Sequence, residues 1–289
     1  MKPANYRGER IDIGGRCLRV VRAGPATGEA PLIVCEHGAF GCATDWAVVQ
    51  DKLAQKGLRS LAYDRAGLGH SDPGPEPRDG RAINDDLEAL LDRLGEHGPV
   101  LLAGHSMGGL MVRLFALERE RRPIRGLVLV DAVTPAILDV PGGAEAVRSF
   151  GGLLEVVSRG ARFGLMVPVS LVSSNLIGLP SLAAAEKRRI HGSAPHARGA
   201  SAEVTQWPAT SKLAGALDLP AELPVAVVTA GAKTIRAPIR AAQEAPAKQS
   251  RFGYLEHVAP ATHANLLGPR HADAVVRGVD HVLKAATLR

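Results

Sequence analysis

The feature that most limits the fold is an alternation of short apolar runs with longer stretches of helical spacing. The runs are Leu32–Cys35, Arg59–Tyr63, Val100–Ala103, Leu127–Val130, Val225–Thr229 and Tyr254–Val258. They are continuously apolar rather than alternating, as in strands covered on both faces. Between them, Ile83, Leu87, Leu90, Leu91 and Leu94 fall on one helix face. Further helical patterns run near Trp46–Lys56, Met107–Arg121 and His271–Ala286. Such an order predicts an α/β fold: a mostly parallel sheet with helices on both faces. A hairpin is predicted ahead of it, from Arg10–Ile13 and Cys17–Val21 joined through Gly14 and Gly15.

The rhythm fails between Thr134 and Pro220 and resumes at Pro224. The simplest account is an insertion. Residues 133–220 are expected to form a helical cap over the C-terminal edge of the sheet, where open α/β folds bind ligands. The core then consists of residues 1–132 and 221–289. One part of the cap, from Phe163 to Ala185, carries no charge and is long enough to cross a bilayer. Its prolines and glycines instead predict a broken pair of short amphipathic helices, and no stable membrane span is expected.

Composition narrows the function classes. With 289 residues, 46% hydrophobic and 22% charged, the chain fills a core without metals or crosslinks. Aromatic residues are only 3%, which argues against a stacking platform for single-stranded nucleic acid. The net charge of +6 is spread out, and its densest stretch, Arg119 to Arg125, is read as a solvated helix end. No nucleic-acid partner is expected. Cys17, Cys35 and Cys42 are odd in number and lack metal-ligand spacing. They predict free thiols in a reducing compartment, and the first ten residues show no apolar signal core. A cytoplasmic monomer or homodimer is the expectation.

The chemistry concentrates at Gly104-His105-Ser106-Met107-Gly108-Gly109, which lies between a predicted strand and a predicted helix. In that context G-x-S-x-G forms a tight turn that lifts the serine hydroxyl above the sheet. The Met107 amide, at the helix N-terminus, faces the place where an oxyanion would form. A second amide is expected from Glu36-His37-Gly38-Ala39-Phe40-Gly41, with Ala39 the best candidate. His37 is read as ordering this loop.

The chain resembles the α/β-hydrolase superfamily with a helical cap, over essentially its whole length. The likeness rests on His37-Gly38, on Tyr63-Asp64-Arg65-Ala66-Gly67-Leu68-Gly69-His70-Ser71-Asp72, on the Ser106 turn and on a late histidine. It implies a nucleophile, acid and base in that chain order. The base is expected after the last strand, where His257 and His263 both lie. His263, followed by Asn265-Leu266-Leu267, fits the loop position better.

The acid departs from the commonest pattern. After Val225–Thr229 the chain reads Ala230-Gly231-Ala232-Lys233-Thr234-Ile235-Arg236, with no carboxylate, and Glu244 lies far downstream. The alternative placement, after the preceding strand, holds Asp131. The expected triad is therefore Ser106, Asp131 and His263. A serine nucleophile implies acyl transfer, whereas an aspartate at the turn would imply alkyl-ester chemistry. The expected substrate is a small to medium apolar ester, with His37, Phe40, His105, Phe163, Met166 and Leu176 as candidate pocket residues. Lactone opening, C–C hydrolysis, perhydrolysis and a lyase step use the same scaffold, and a non-catalytic ligand-binding protein is the alternative class. No motif indicates a metal, nucleotide or flavin, so no cofactor is expected.

Overall fold

The computed structural model describes residues 7–119, 121–161, 175–231 and 237–288. Eight strands form one sheet: β1 (Glu9–Asp12), β2 (Cys17–Ala23), β3 (Leu32–Glu36), β4 (Ser60–Tyr63), β5 (Val100–His105), β6 (Ile124–Val130), β7 (Val225–Ala230) and β8 (Gly253–Val258). Their order is β1-β2-β4-β3-β5-β6-β7-β8. The β1–β2 and β2–β4 pairs are antiparallel and every other pair is parallel.

Alternation within each central strand sorts its residues between two apolar layers. Ile33 and Cys35, Leu101 and Ala103, Val128 and Val130, and Ala226 and Val228 face one layer. That layer is covered by α1 (Ala47–Gln55), the turn before it and α9 (Ala272–Ala286), through Trp46, Leu53, Val275, Val279 and Val282. Leu32 and Val34, Leu102, Leu127 and Leu129, and Val225 and Val227 face the other layer. There α2 (Gly80–Arg93) and α3 (Gly108–Glu118) cover them, through Leu87, Leu90, Leu91, Val112 and Phe115. Asp79 caps α2, its carboxylate accepting the Ala82 amide at 3.0 Å. The predicted helix that began at Met107 stops at Glu118. The basic stretch after it is not solvated throughout. Arg122 is buried and pairs with Asp92 at 2.8 Å, and Arg119 pairs with Asp85 at 2.6 Å. Acidic residues of α2, themselves exposed, neutralise these cations. One helix, α8 (Ala237–Gln249), has no counterpart in the sequence reading; it carries Pro246 internally.

Between β6 and β7 the described chain is helical. It holds α4 (Gly143–Ala161), α5 (Ser181–His191), α6 (Ala194–Thr205) and α7 (Trp207–Ala214). Among the described residues no helix is long and apolar enough to cross a membrane. Among the described residues, three buried ion pairs join this cap to the core. Glu203 of α6 takes a two-pronged bond from Arg65, with both N–O distances 2.8 Å. Lys187 of α5 meets Asp45 at 2.5 Å, and its neighbour Glu186 meets Arg19. Phe40 packs against both His191 and His196, with ring centroids 4.7 and 4.6 Å away.

The Arg65–Glu203 contact generates a stability prediction. Removing one member of a buried pair strands the other. Glu203→Leu is expected to lower unfolding free energy by about 3 kcal/mol, measured by urea denaturation. A loss near zero would contradict the role given to this pair.

The cap histidines generate another. His196 Nδ1 accepts the Gly69 amide at 3.1 Å while Nε2 donates to the Phe40 carbonyl at 3.3 Å. Only a neutral ring makes both bonds. Burial, and then the Lys187 charge, push His191 down to about 2. Burial likewise pushes His196 down to about 3. An unfolded histidine titrates near 6.5. The unfolded chain therefore takes up protons that the folded chain refuses, and stability present above pH ~6.5 is lost as pH falls toward the folded values. Each ring contributes a slope of up to about 1.4 kcal/mol per pH unit. The urea midpoint should fall steadily from pH 7 to pH 5, and His196→Gln should flatten that fall. A midpoint level across this range would refute the neutral assignment.

Candidate active site

From β3 the chain crosses to β4 on one side and later to β5 on the other. The crevice beyond the carboxyl ends of β3 and β5 is thus a switch point of the sheet, where open α/β folds place ligands. Glu36 and Gly104 are paired across these two strands, so the loop beginning at His37 and the turn at Ser106 are neighbours.

Glycine makes that closeness feasible at two positions. A Cβ on Gly108 would sit 2.5 Å from the Glu36 carbonyl oxygen, and one on Gly38 would sit 2.9 Å from Ser106 Cβ. Ser106 itself is a non-glycine residue at φ +55°. Its amide donates to Val130 at 3.1 Å, and its carbonyl accepts from Gly109 at 3.0 Å and Val133 at 2.8 Å. These bonds hold a sparsely populated backbone geometry and leave the side chain partly exposed. No acceptor among the described residues takes the Ala39 or the Met107 N–H. Two unused amides therefore flank the serine, one from each side of the switch point.

Asp131 follows β6 at φ +40°, a conformation that aspartate tolerates better than most residues. Its Oδ2 accepts a bond from His263 Nδ1 at 2.6 Å. Its Oδ1 accepts the Ala230 amide and Gln243 Nε2, each at 3.2 Å. Burial raises the carboxyl pKa, but the bonds from His263 and Ala230 outweigh it and hold the group below its ordinary value. The carboxylate is thus ionised, and as an acceptor it orients the His263 ring with Nδ1 toward Asp131 and Nε2 outside this bond. His105 supports the same loop. Its Nε2 donates to the His263 carbonyl at 3.0 Å, and the two rings pack with centroids 4.6 Å apart, tilted by 34°. Burial pushes His105 down to about 3, so it stays neutral.

His257 lies on β8, exposed, with Nδ1 2.9 Å from the Thr229 hydroxyl. It does not meet Asp131. His37 is buried, and its Nδ1 donates to the Gly38 carbonyl at 2.9 Å.

An apolar cavity of about 270 Å³ opens beside the pair. His263, Asp131 and Gln243 line it together with Val147, Phe150 and Trp207 of the cap. His37, Phe40 and His105 do not line it. Leu176 lines a different cavity with Ile177 and Pro269, and Phe163 and Met166 lie outside the described residues. A larger trough of about 760 Å³ lies near Asp92, Glu118 and Arg119. That is the far end of α2 and α3 from Ser106. No group of histidine, cysteine or acidic side chains among the described residues is arranged to hold a metal.

Sequence reasoning missed Gln243, Glu36 and Glu203. Gln243 and Glu203 stand on helices where a polar residue reads as solvent-facing. Glu36, inside the Leu32–Glu36 strand, reads as its polar end. A carboxylate directly after an apolar run was the available signal for Glu36; Gln243 and Glu203 offered none.

Comparison with known proteins agrees with this architecture. A family model described as alpha/beta hydrolase fold matches residues 31–162. A bifunctional esterase/perhydrolase of Acinetobacter calcoaceticus is 32% identical over 110 residues, covering 38% of this chain and 40% of that protein. An sn-1-specific diacylglycerol lipase of Mus musculus is 38% identical over 102 residues, covering 35% of this chain and 32% of that protein. The chain thus spans well under half the length of these curated relatives. A thermophilic esterase structure from Thermogutta terrifontis superposes with TM-score 0.69 at 24% identity, covering 96% of this chain and 99% of that one. Family match over residues 31–162, sheet order and the strand–serine–helix turn agree: the chain has the α/β-hydrolase fold.

Proposed function

We propose that the chain is a serine hydrolase that cleaves carboxylic esters of small to medium apolar substrates. The observation that carries this reading is the 2.6 Å bond from His263 Nδ1 to the Asp131 carboxylate, at a site where Ser106 is held in the strained turn. A serine hydroxyl is a weak nucleophile until a base takes its proton. In the proposed course, Ser106 Oγ attacks the ester carbonyl and its proton passes to His263 Nε2. The oxyanion is stabilised by the Ala39 and Met107 amides. Collapse breaks the bond to the alcohol, whose oxygen receives the proton from His263. Water then gives a proton to His263 and adds to the acyl group. The acid leaves and Ser106 is regenerated. Asp131 holds the ring tautomer and stabilises the imidazolium throughout.

Fold likeness alone does not select this reaction. A Vigna radiata epoxide hydrolase superposes with TM-score 0.72 at 15% identity, covering 94% of this chain and 98% of that one. The residue at the turn separates the two chemistries. Ser106 supports an acyl-enzyme, whereas alkyl-ester chemistry needs a carboxylate there. Lactone opening uses the same steps on a cyclic ester. Perhydrolysis differs only in hydrogen peroxide replacing water in the second half.

Two measurements test the proposal. A fluorophosphonate should label Ser106 covalently, and Ser106→Ala should abolish the label; an unlabelled wild-type protein would end the nucleophile assignment. Asp131→Asn should keep the folded state but lower kcat on a short-chain ester by roughly 10³–10⁴-fold. Near-wild-type turnover in that variant would remove Asp131 from the mechanism.

A further inference from the structure

We infer that the apolar cavity beside His263 receives the alcohol portion of the ester, and that the enzyme selects its substrates by that portion more than by the acyl chain. The inference rests on the proposed ester hydrolysis and adds a direction to it. The reacting carbon carries groups with different obligations. Its carbonyl oxygen must reach the Ala39 and Met107 amides, on the β3 and α3 side of Ser106. The alcohol oxygen must reach His263 Nε2, because that nitrogen returns the proton. The alcohol chain therefore continues on the His263 side.

The cavity lies on that side. Its lining includes His263, and also Asp131, Val133 and Ile137, where the chain leaves β6. Neither the 38–40 loop nor the Ser106–Met107 turn contributes to it. It is nonetheless next to the reacting centre. Val133, Val147, Phe150 and Trp207 pack in one apolar cluster with Met107, Ala39 and Phe40.

Size and polarity define the ligand class. Taking the roughly 30 Å³ share of one water molecule per heavy atom, a cavity of about 270 Å³ holds on the order of nine non-hydrogen atoms. A benzyl or cyclohexylmethyl group fits, and a dodecyl chain does not. Among the described residues no lysine or arginine borders the cavity, and the carboxylate among them, Asp131, is an anion already paired with His263. The lining therefore favours a neutral alcohol over one bearing a phosphate or carboxylate.

The test uses the full chain and two ester series. One keeps an acetyl group and varies the alcohol from ethyl through butyl and benzyl to dodecyl. The other keeps ethanol and varies the acyl group over the same sizes. In the first series kcat/KM should rise roughly three- to fourfold per buried methylene, peak near benzyl and fall by dodecyl. The second series should change less than tenfold overall. Ala146 lines the cavity yet is solvent-exposed on α4, so a larger side chain there fills the cavity without disturbing the core. Ala146→Phe should lower the benzyl-to-ethyl acetate ratio of kcat/KM at least tenfold. A steep acyl series with a flat alcohol series, or an Ala146→Phe penalty confined to long acyl groups, overturns the inference and leaves the hydrolase reading intact. No turnover of any ester together with no labelling of Ser106 overturns both.

Discussion

The site depends on one buried cation. Arg65 is fully enclosed, and its guanidinium reaches four residues at once. Nε and Nη2 grip the Glu203 carboxylate, Nη1 meets Glu36 at 2.5 Å and the His37 carbonyl at 2.7 Å, and Nη2 meets the Gly38 carbonyl at 3.0 Å. Drawing both carbonyls toward one side fixes the peptide planes around Gly38, and with them the direction of the Ala39 amide. A lysine has neither the fork nor the number of donors to do this. Burial pushes Glu36 above its ordinary pKa, against the opposing pull of Arg65 and the Tyr63 hydroxyl bond. Desolvation offsets much of the attraction in such a cluster. Its structural return is position: one side chain ties β3, the loop after β4 and a cap helix to the loop that carries Gly38 and Ala39.

The cap is consequently held unevenly. Its α5 and α6 elements carry Glu186, Lys187 and Glu203, each in a buried pair with the core. Displacing them would strand charges in a low-dielectric interior. By contrast, the ion pairs of α4, Glu145–Arg148 and Glu155–Arg159, lie within the helix and are exposed. Apolar packing of Val147, Phe150 and Leu154 against Trp207 and Val204 holds α4 in place. Among the described residues of the cap, the wall of the cavity beside His263 is therefore a part whose movement exposes apolar surface without unpairing a buried charge.

What the sequence disclosed, and what it hid, follows from the range of each interaction. The Ser106 turn is local: strand, glycine, serine and helix are consecutive, so their chemistry is written in adjacent letters. The strands were legible because each central one buries both faces. The ends of elements were less so, since Ile124 and Arg125 look like a basic tail and belong to β6. Long-range partners were hidden. Arg65 and Glu203 are 138 residues apart, and Glu203 sits on a helix whose polar letters suggest a wet face. Arg122 was misread for the same reason, because its neutralising Asp92 lies on α2. The α8 helix escaped notice because its apolar residues are mostly small alanines and Pro246 interrupts the pattern.

The displaced acid shows how the two strands share one task. Asp131 stands after β6, but two of its three bonds come from the β7 side: the Ala230 amide ends β7 itself, and Gln243 belongs to the helix that follows. The Asp131 amide in turn donates to Val228 of β7 at 2.7 Å. With φ at +40° the backbone turns sharply at the strand end and carries the side chain toward its neighbour. The carboxylate thereby occupies the space beyond β7, within reach of a histidine delivered from the loop after β8. The charge has moved by one strand in the chain while its donors remain on β7 and α8. This explains how His263 keeps a carboxylate partner although no acid follows Thr229. It also explains why a polar residue, Gln243, is buried at the helix position facing Asp131: the β6 carboxylate needs a donor there, and an aliphatic side chain would leave Oδ1 with the Ala230 amide alone.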